Sequence, residues 1–265
     1  MNTRELSQEE LTREGRFMKA SYTYKIDGKT VIKTGPCTRM AEAEALKLVR
    51  DRTTISVPEV YDVYTDEKSG MLRIVMEYIK GDTLRYAWDD FTPEDKESVI
   101  SQLRGFVEQL REIKGSFIGS VDGSRCLEHC FEKADDTSGP FADESKFNEG
   151  IIKALKRMKS LTNEHLKLAE DLFRMFMTGH ETVLTYNDLD GINILVRGSK
   201  VVALLDWDRC GYYPDYWEYC TAMRWSNYGR ETWDRERAYM NIFKPHMYER
   251  ELSVLRLVPE VMGNA

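Results

Sequence analysis

The stretch Val183–Asp208, VLTYNDLDGINILVRGSKVVALLDWD, decides the reading of this chain. It opens on a short β-type run, Val183-Leu184-Thr185, that stops at Tyr186-Asn187-Asp188. Asn193-Ile194-Leu195-Val196 then meets the turn Arg197-Gly198-Ser199-Lys200, and Val201–Leu205 carries a second apolar run into Asp206. Two β-rich runs around a short glycine-containing turn predict a hairpin. A hairpin brings its ends together, so Asn193 and Asp206 are expected side by side, with Asp188 just upstream. An amide and two carboxylates at one end of a sheet are oxygen ligands of the kind a hard divalent cation shares with nucleotide phosphates. An Asp-x4-Asn spacing alone would mark only a solvated hairpin. The second strand and its terminal Asp206 make the chemical reading the better one.

This arrangement, Asp188, Asn193 and a hairpin ending in Asp206, resembles the catalytic-loop and metal-loop pair of the protein-kinase-like fold. NILV followed by LLDWD, with Gly211 and Pro214 beyond, resembles the aminoglycoside phosphotransferase/choline kinase family, in particular its fungal-type members. The resemblance implies Asp188 as the base that orients an acceptor hydroxyl, and Asn193 and Asp206 as ligands of Mg²⁺. Two positions depart from the family pattern. Tyr186 stands where His is usual, and its ring is expected to pack under the metal loop. Asp190 stands where relatives often carry a small or basic residue, and an acid there repels the transferring phosphate unless a cation intervenes.

Upstream, Tyr22, Tyr24 and Ile26 alternate with polar residues, and Asp27-Gly28 turns the chain into Thr30-Val31-Ile32-Lys33, a second hairpin signal. Lys33 resembles the strand lysine that holds nucleotide α/β-phosphates in the kinase fold. Met40–Arg50 predicts a helix with Glu42, Ala45, Leu46 and Val49 on one face. An acid on an apolar face is costly unless paired, so Lys33 is its expected partner. Glu44 is the alternative, but by helical phase it points away. Val60–Tyr64, the turn Asp66–Gly70 and Leu72–Ile79 complete a small sheet, five-stranded or trimmed. By resemblance, Met76 borders the adenine pocket, and the backbone of Glu77 and Ile79 reads adenine. Only Gly15 and Gly28 precede Lys33, so no G-x-G-x-x-G cradle for phosphate is present.

Past residue 80 the pattern turns helical. Thr92-Pro93-Glu94-Asp95 is a capped start for a helix striped by Val99, Leu103, Phe106, Leu110 and Ile113. Residues 115–145, rich in glycine, predict a long loop. Phe147–Lys159 and Glu164–Met177 predict two amphipathic helices, the second with Leu168, Leu172, Met175 and Phe176 facing inward. The aromatic run Trp207, Tyr212, Tyr213, Tyr216, Trp217, Tyr219 and Trp225 suits a helical core better than a cage for a quaternary ammonium. Glu218 matches the place where the family keeps an acid bracing the catalytic loop. Residues 3–19 read as a helix or frayed arm, with Ser7 and Glu10 in capping-box spacing.

A net charge of −7 argues against the basic stripe that nucleic-acid binding needs, and mildly favours a cationic small molecule. No apolar run is long enough to cross a membrane. The polar, acid-bearing N-terminus is neither a secretory signal nor a transit peptide, so a cytoplasmic protein is expected. Five scattered Cys suit free thiols, and Cys126, His129 and Cys130 make half a zinc site with no second pair. The expectation is an α+β, two-lobed protein-kinase-like fold, with a small antiparallel-sheet lobe over residues 1–79 and a helical lobe over 80–265. The expected activity is phosphoryl transfer to a small-molecule hydroxyl, with ATP and Mg²⁺ as cofactors. A binding-only pseudokinase is the first rival, supported by Asp190 and the missing glycine loop. A kinase acting on proteins is the second, opposed by the lack of an Ala-Pro-Glu landmark after Asp206.

Overall fold

A computed structural model describes residues 21–128, 131, 138–157, 161–225 and 238–257. The arm expected at residues 3–19, and His129 and Cys130, lie outside them. β1 (Tyr22–Lys25) and β2 (Thr30–Thr34) form the first hairpin, with Tyr24 opposite Ile32. The Asp27 carboxylate closes its turn by accepting from the Lys29 N–H at 2.7 Å. After α1 (Met40–Arg52), β3 (Val60–Thr65) and β4 (Leu72–Glu77) complete an antiparallel sheet of order β1-β2-β4-β3. The sheet is thus the trimmed, four-stranded form. Ala41, Ala43, Ala45, Leu46 and Val49 bury one side of α1, where apolar burial stabilises the lobe at about 25 cal/mol per Å².

β5 (Asp82–Thr83) and the short α2 (Leu84–Ala87) lead through a 3₁₀ turn to α3 (Pro93–Arg111). The expected capped start takes the form of a capping box: Thr92 Oγ1 accepts from Asp95 N at 3.2 Å and Asp95 Oδ2 from Thr92 N at 3.3 Å. Val99, Leu103, Leu110 and Ile113 of the expected stripe are buried. The expected loop over 115–145 contains a two-residue strand, β6 (Gly119–Ser120). It pairs with β10 (Gly211–Pro214), which in turn pairs with β7 (Thr182–Thr185). The approach is so close that a Cβ at Gly211 would collide with the Gly119 carbonyl.

α4 (Glu144–Leu155) begins three residues earlier than periodicity suggests, because Asp143 caps it by accepting from Lys146 N at 2.9 Å. α5 (Asn163–Phe176) corrects the expected stripe. Leu168 and Met175 are exposed, at 48% and 68%, whereas Ala169 and Phe173 are buried. A small alanine carries little hydrophobic signal, which shifted the apparent face by one residue. β8 (Ile194–Arg197) and β9 (Lys200–Leu204) are the predicted hairpin, with Ile194 opposite Leu204, and β5 adds its outer strand. α6 (Trp217–Trp225), α7 (Ala238–Ile242) and α8 (Glu249–Leu257) close the helical lobe. Trp207, Tyr213, Tyr216, Trp217 and Tyr219 are fully buried, with Phe147 edge-on to Trp217 at 5.0 Å. They fill the core. Among the described residues Cys37, Cys126, Cys210 and Cys220 form no disulfide, and no helix is long and apolar enough to cross a membrane.

Candidate active site

The sheet β1–β4 faces the hairpin β8–β9 across a cleft of about 620 Å³. Lys33, Glu42, Met76, Glu77, Ile79, Asn193 and Asp206 all line it. Alternation along β2 turns Val31 and Lys33 to the inner face, so the lysine is only 6% exposed. Its Nζ lies 2.8 Å from each Glu42 carboxylate oxygen and 2.7 Å from Asp206 Oδ1. Glu44, half-buried, pairs with the exposed Lys47 at 3.2 Å instead, as helical phase required. Burial alone would depress the Lys33 ammonium, but the Glu42 and Asp206 carboxylates outweigh it and hold Lys33 above the ordinary lysine value. Glu42 is pushed up to about 7 by burial against the pull of Lys33. The acids that surround Lys33 thus keep its ammonium charged in spite of burial.

Below the cleft, β7 ends at the loop that carries Asp188. The buried Glu218 carboxylate accepts from Tyr186 N at 2.5 Å and from Asn187 N at 3.0 Å. Asn187 takes a left-handed backbone (φ 67°) that asparagine tolerates, and its side-chain amide donates to buried Glu128. Trp217 Nε1 donates to the same Glu128 oxygen at 3.0 Å. Asn193 Nδ2 donates to Asp188 Oδ2 at 2.8 Å, and Leu205 N to Asn193 O at 2.8 Å, so the hairpin's start and end sit together. Burial, then the Asp206 charge, push the Asp188 carboxyl up to about 7, with Arg209 opposing. Tyr186 packs its ring 4.6 Å from that of Trp207 and donates its hydroxyl to the Leu205 carbonyl, just before Asp206. Asp206 itself is left-handed, at φ 56°, a strained setting for a residue with a Cβ.

Sequence reasoning passed over four residues of this site. Asp208, in the same DWD triplet as Asp206, also lines the cleft, and its place in that motif was a usable signal. Arg85 reaches Asp190 with both carboxylate oxygens in range, at 2.9 and 3.2 Å, and its backbone N–H bonds Gly191 O at 3.0 Å. Arg209 and Glu128 flank the Asp188 loop. A larger cavity, about 920 Å³, opens between α4, α5 and the lead-in to β7 and shares no residue with the cleft. It holds none of Lys33, Asp188, Asn193 and Asp206.

A strand lysine paired to a helix acid, set over a loop aspartate and a hairpin that ends in another, is the layout of kinase-like phosphotransferases. The profile of the phosphotransferase enzyme family matches residues 36–242, and the chain belongs to that family. Its fold is similar to that of a thermostable mutant of the aminoglycoside phosphotransferase APH(4)-Ia, in apo form. That match has a TM-score of 0.62 and 13% identity, over 91% of this chain and 79% of that one. Aminoglycoside 2′-phosphotransferase-IIIa, as its GDP complex, matches with a TM-score of 0.61 and 12% identity, over 93% and 81%. The streptomycin–ATP–APH(2″)-IIa ternary complex matches with a TM-score of 0.61 and 13% identity, over 94% and 82%. No curated protein sequence matches.

Proposed function

We propose that this chain is a MgATP-dependent phosphotransferase that moves the γ-phosphate to a hydroxyl of a small molecule. The observation that carries the reading is Lys33, buried and charged, bridging Glu42 and Asp206 in the cleft that Asn193 enters from the catalytic loop. In this reading Lys33 holds the α/β-phosphates and Met76 borders the adenine. The N–H groups of Glu77 and Tyr78 already bond Glu59 O at 2.9 Å and Lys29 O at 2.7 Å, so adenine is read by Glu77 C=O and Ile79 N–H. The nucleotide complexes among the structural neighbours support the assignment.

The residues present fit Mg²⁺. Asn193 spends its Nδ2 on Asp188, leaving its amide oxygen for a cation, and the Asp206 side chain is 43% exposed to the cleft. Among the described residues no three His, Cys, Asp or Glu side chains form a ready-made metal cage, which accords with an ion that takes its other ligands from phosphate and water. Bound there, Mg²⁺ supplies neutralisation of charge on the phosphate oxygens. Asp188, beside Asn193, accepts the acceptor's hydroxyl proton. Arg85 pairs with Asp190 at 2.9 Å, which weakens one of the two arguments for a binding-only protein; the missing glycine loop is the other. The net charge favours a cationic acceptor, although Trp207, Tyr213, Tyr216, Trp217 and Tyr219 are buried in the core and form no cage for it.

The test is nucleotide consumption with and without a panel of amino alcohols, sugars and aminoglycosides. Acceptor-dependent loss of ATP is expected. Neither nucleotide binding nor turnover, with any member and with Mg²⁺ present, would overturn the proposal.

A further inference from the structure

α1 belongs to the sheet lobe by sequence, yet both of its ends are bonded to the helical lobe. At its end, Thr54 donates its N–H at 2.7 Å and its hydroxyl at 2.9 Å to Gln109 Oε1 on α3, and Ser56 O accepts from Leu204 N of β9 at 3.0 Å. At its start stands Arg39, the residue before Met40. Arg39 Nη2 donates to Ser120 Oγ at 3.0 Å, to Ser124 Oγ at 2.6 Å and to Arg125 O at 3.4 Å. The receiving turn is prepared for it. Buried Ser120 donates its own proton to Arg125 O at 2.8 Å, and Ser124 donates its proton to Asp122, so both hydroxyl oxygens accept from the guanidinium. No side chain caps the start of α1, so the tie through Arg39 fixes its first turn.

We infer that Arg39 is a positioning residue for the Lys33–Glu42 pair, holding Glu42 in place from the helical lobe. Glu42 lies three residues beyond Arg39, and its backbone N–H bonds Arg39 O at 3.3 Å. With α1 moored at both ends, Glu42 is held from the helical lobe, whereas Lys33 is held by the pairing of β2 with β4. The inference rests on the cleft being the nucleotide site, and the experiment separates the two.

Three variants of the full chain are compared with wild type: Arg39→Ala, Arg39→Lys, and Ser120→Ala/Ser124→Ala, which removes the two hydroxyl acceptors, leaves only the longer contact to the Arg125 carbonyl, and does not touch α1. Amide exchange over residues 40–46 is measured without nucleotide, and the Kd for MgATP by titration. Arg39→Ala and the double serine variant should both speed exchange at 40–46 and leave 163–176 as in wild type. Each should weaken MgATP roughly tenfold, the scale of a lost charge-assisted hydrogen bond. Arg39→Lys, which lacks the planar fork, should fall between. In a Glu42→Gln background, Arg39→Ala should change the Kd by about twofold at most, because the two act through one group. An Arg39→Ala protein that melts earlier, but keeps wild-type Kd and wild-type exchange at 40–46, overturns the inference. Wild type that binds no MgATP defeats the nucleotide reading instead, and the exchange data still judge Arg39.

Discussion

Lys33→Met is the most informative single change, because it keeps much of the stem and removes only the charge. Lys33 and Glu42 expose 8% and 2% of their side chains, so their ion pair is screened little by solvent. Without Lys33, the Glu42 carboxyl must either stay charged without a cation or take up a proton in the buried site, with Ala45, Leu46 and Val49 for neighbours along its own helix. Removing one partner of a buried pair costs about 3–5 kcal/mol, most of it the penalty of the stranded charge. For a chain of this length that is a fall in Tm on the order of 10 °C. Replacing both partners, as Lys33→Met/Glu42→Leu, should recover most of the loss, since no charge is left buried and Asp206 is solvated. The assay is urea unfolding at neutral pH without nucleotide, on wild type, both singles and the double. Lys33→Met within about 1 kcal/mol of wild type, or a double variant equal to the sum of its singles, would refute the argument.

Asp188→Asn should leave the Kd for MgATP nearly unchanged and lower turnover by roughly 10²–10⁴; undiminished turnover would remove Asp188 from its role. Arg85→Ala should slow turnover roughly tenfold by unmasking Asp190 beside the phosphate, and Arg85→Ala/Asp190→Ala should recover it. A double variant as slow as the single would show that Arg85 acts otherwise. His180 joins three elements: Nδ1 lies 2.6 Å from Glu144 Oε1 of α4, and Nε2 3.5 Å from Glu251 Oε1 of α8. Burial works against its charge, but Glu144, Asp215 and Glu251 outweigh it and raise its pKa. Its contribution to stability is therefore complete below the ordinary histidine value of about 6.5 and fades as pH climbs through the raised native one. Melting curves of wild type and His180→Gln should converge toward alkaline pH. A gap independent of pH would exclude this account.

The hairpin Ile194–Leu204 was legible because β-branched runs flank a glycine turn, and its two ends carry the site. Glu42 was legible for a different reason: helical phase puts it on a face of alanines and leucine, where an acid must be paired. β6 was not legible, since Gly119-Ser120 has no alternation to read and becomes a strand only beside β10. The Arg85–Asp190 and Arg39–Ser120 contacts, 105 and 81 residues apart in the chain, depend on the tertiary path and leave no local trace. The face of α5 was misjudged because periodicity counts large apolar residues, whereas Ala169 supplies burial without bulk.

Tyr186 has a consequence for proton traffic at the site. An imidazole at that position would gain or lose charge near pH 6.5, and any loop resting on it would feel the change. The phenol is sealed beneath Trp207, and burial, followed by the charges of Asp188 and Asp206, drives it well above its ordinary value of 10.0. It keeps its proton at every pH a cell meets, and the Leu205 carbonyl it supports stays anchored throughout. Asp206 thus hangs from a pH-indifferent peg, and the acid limb of a rate profile should report carboxyl groups alone.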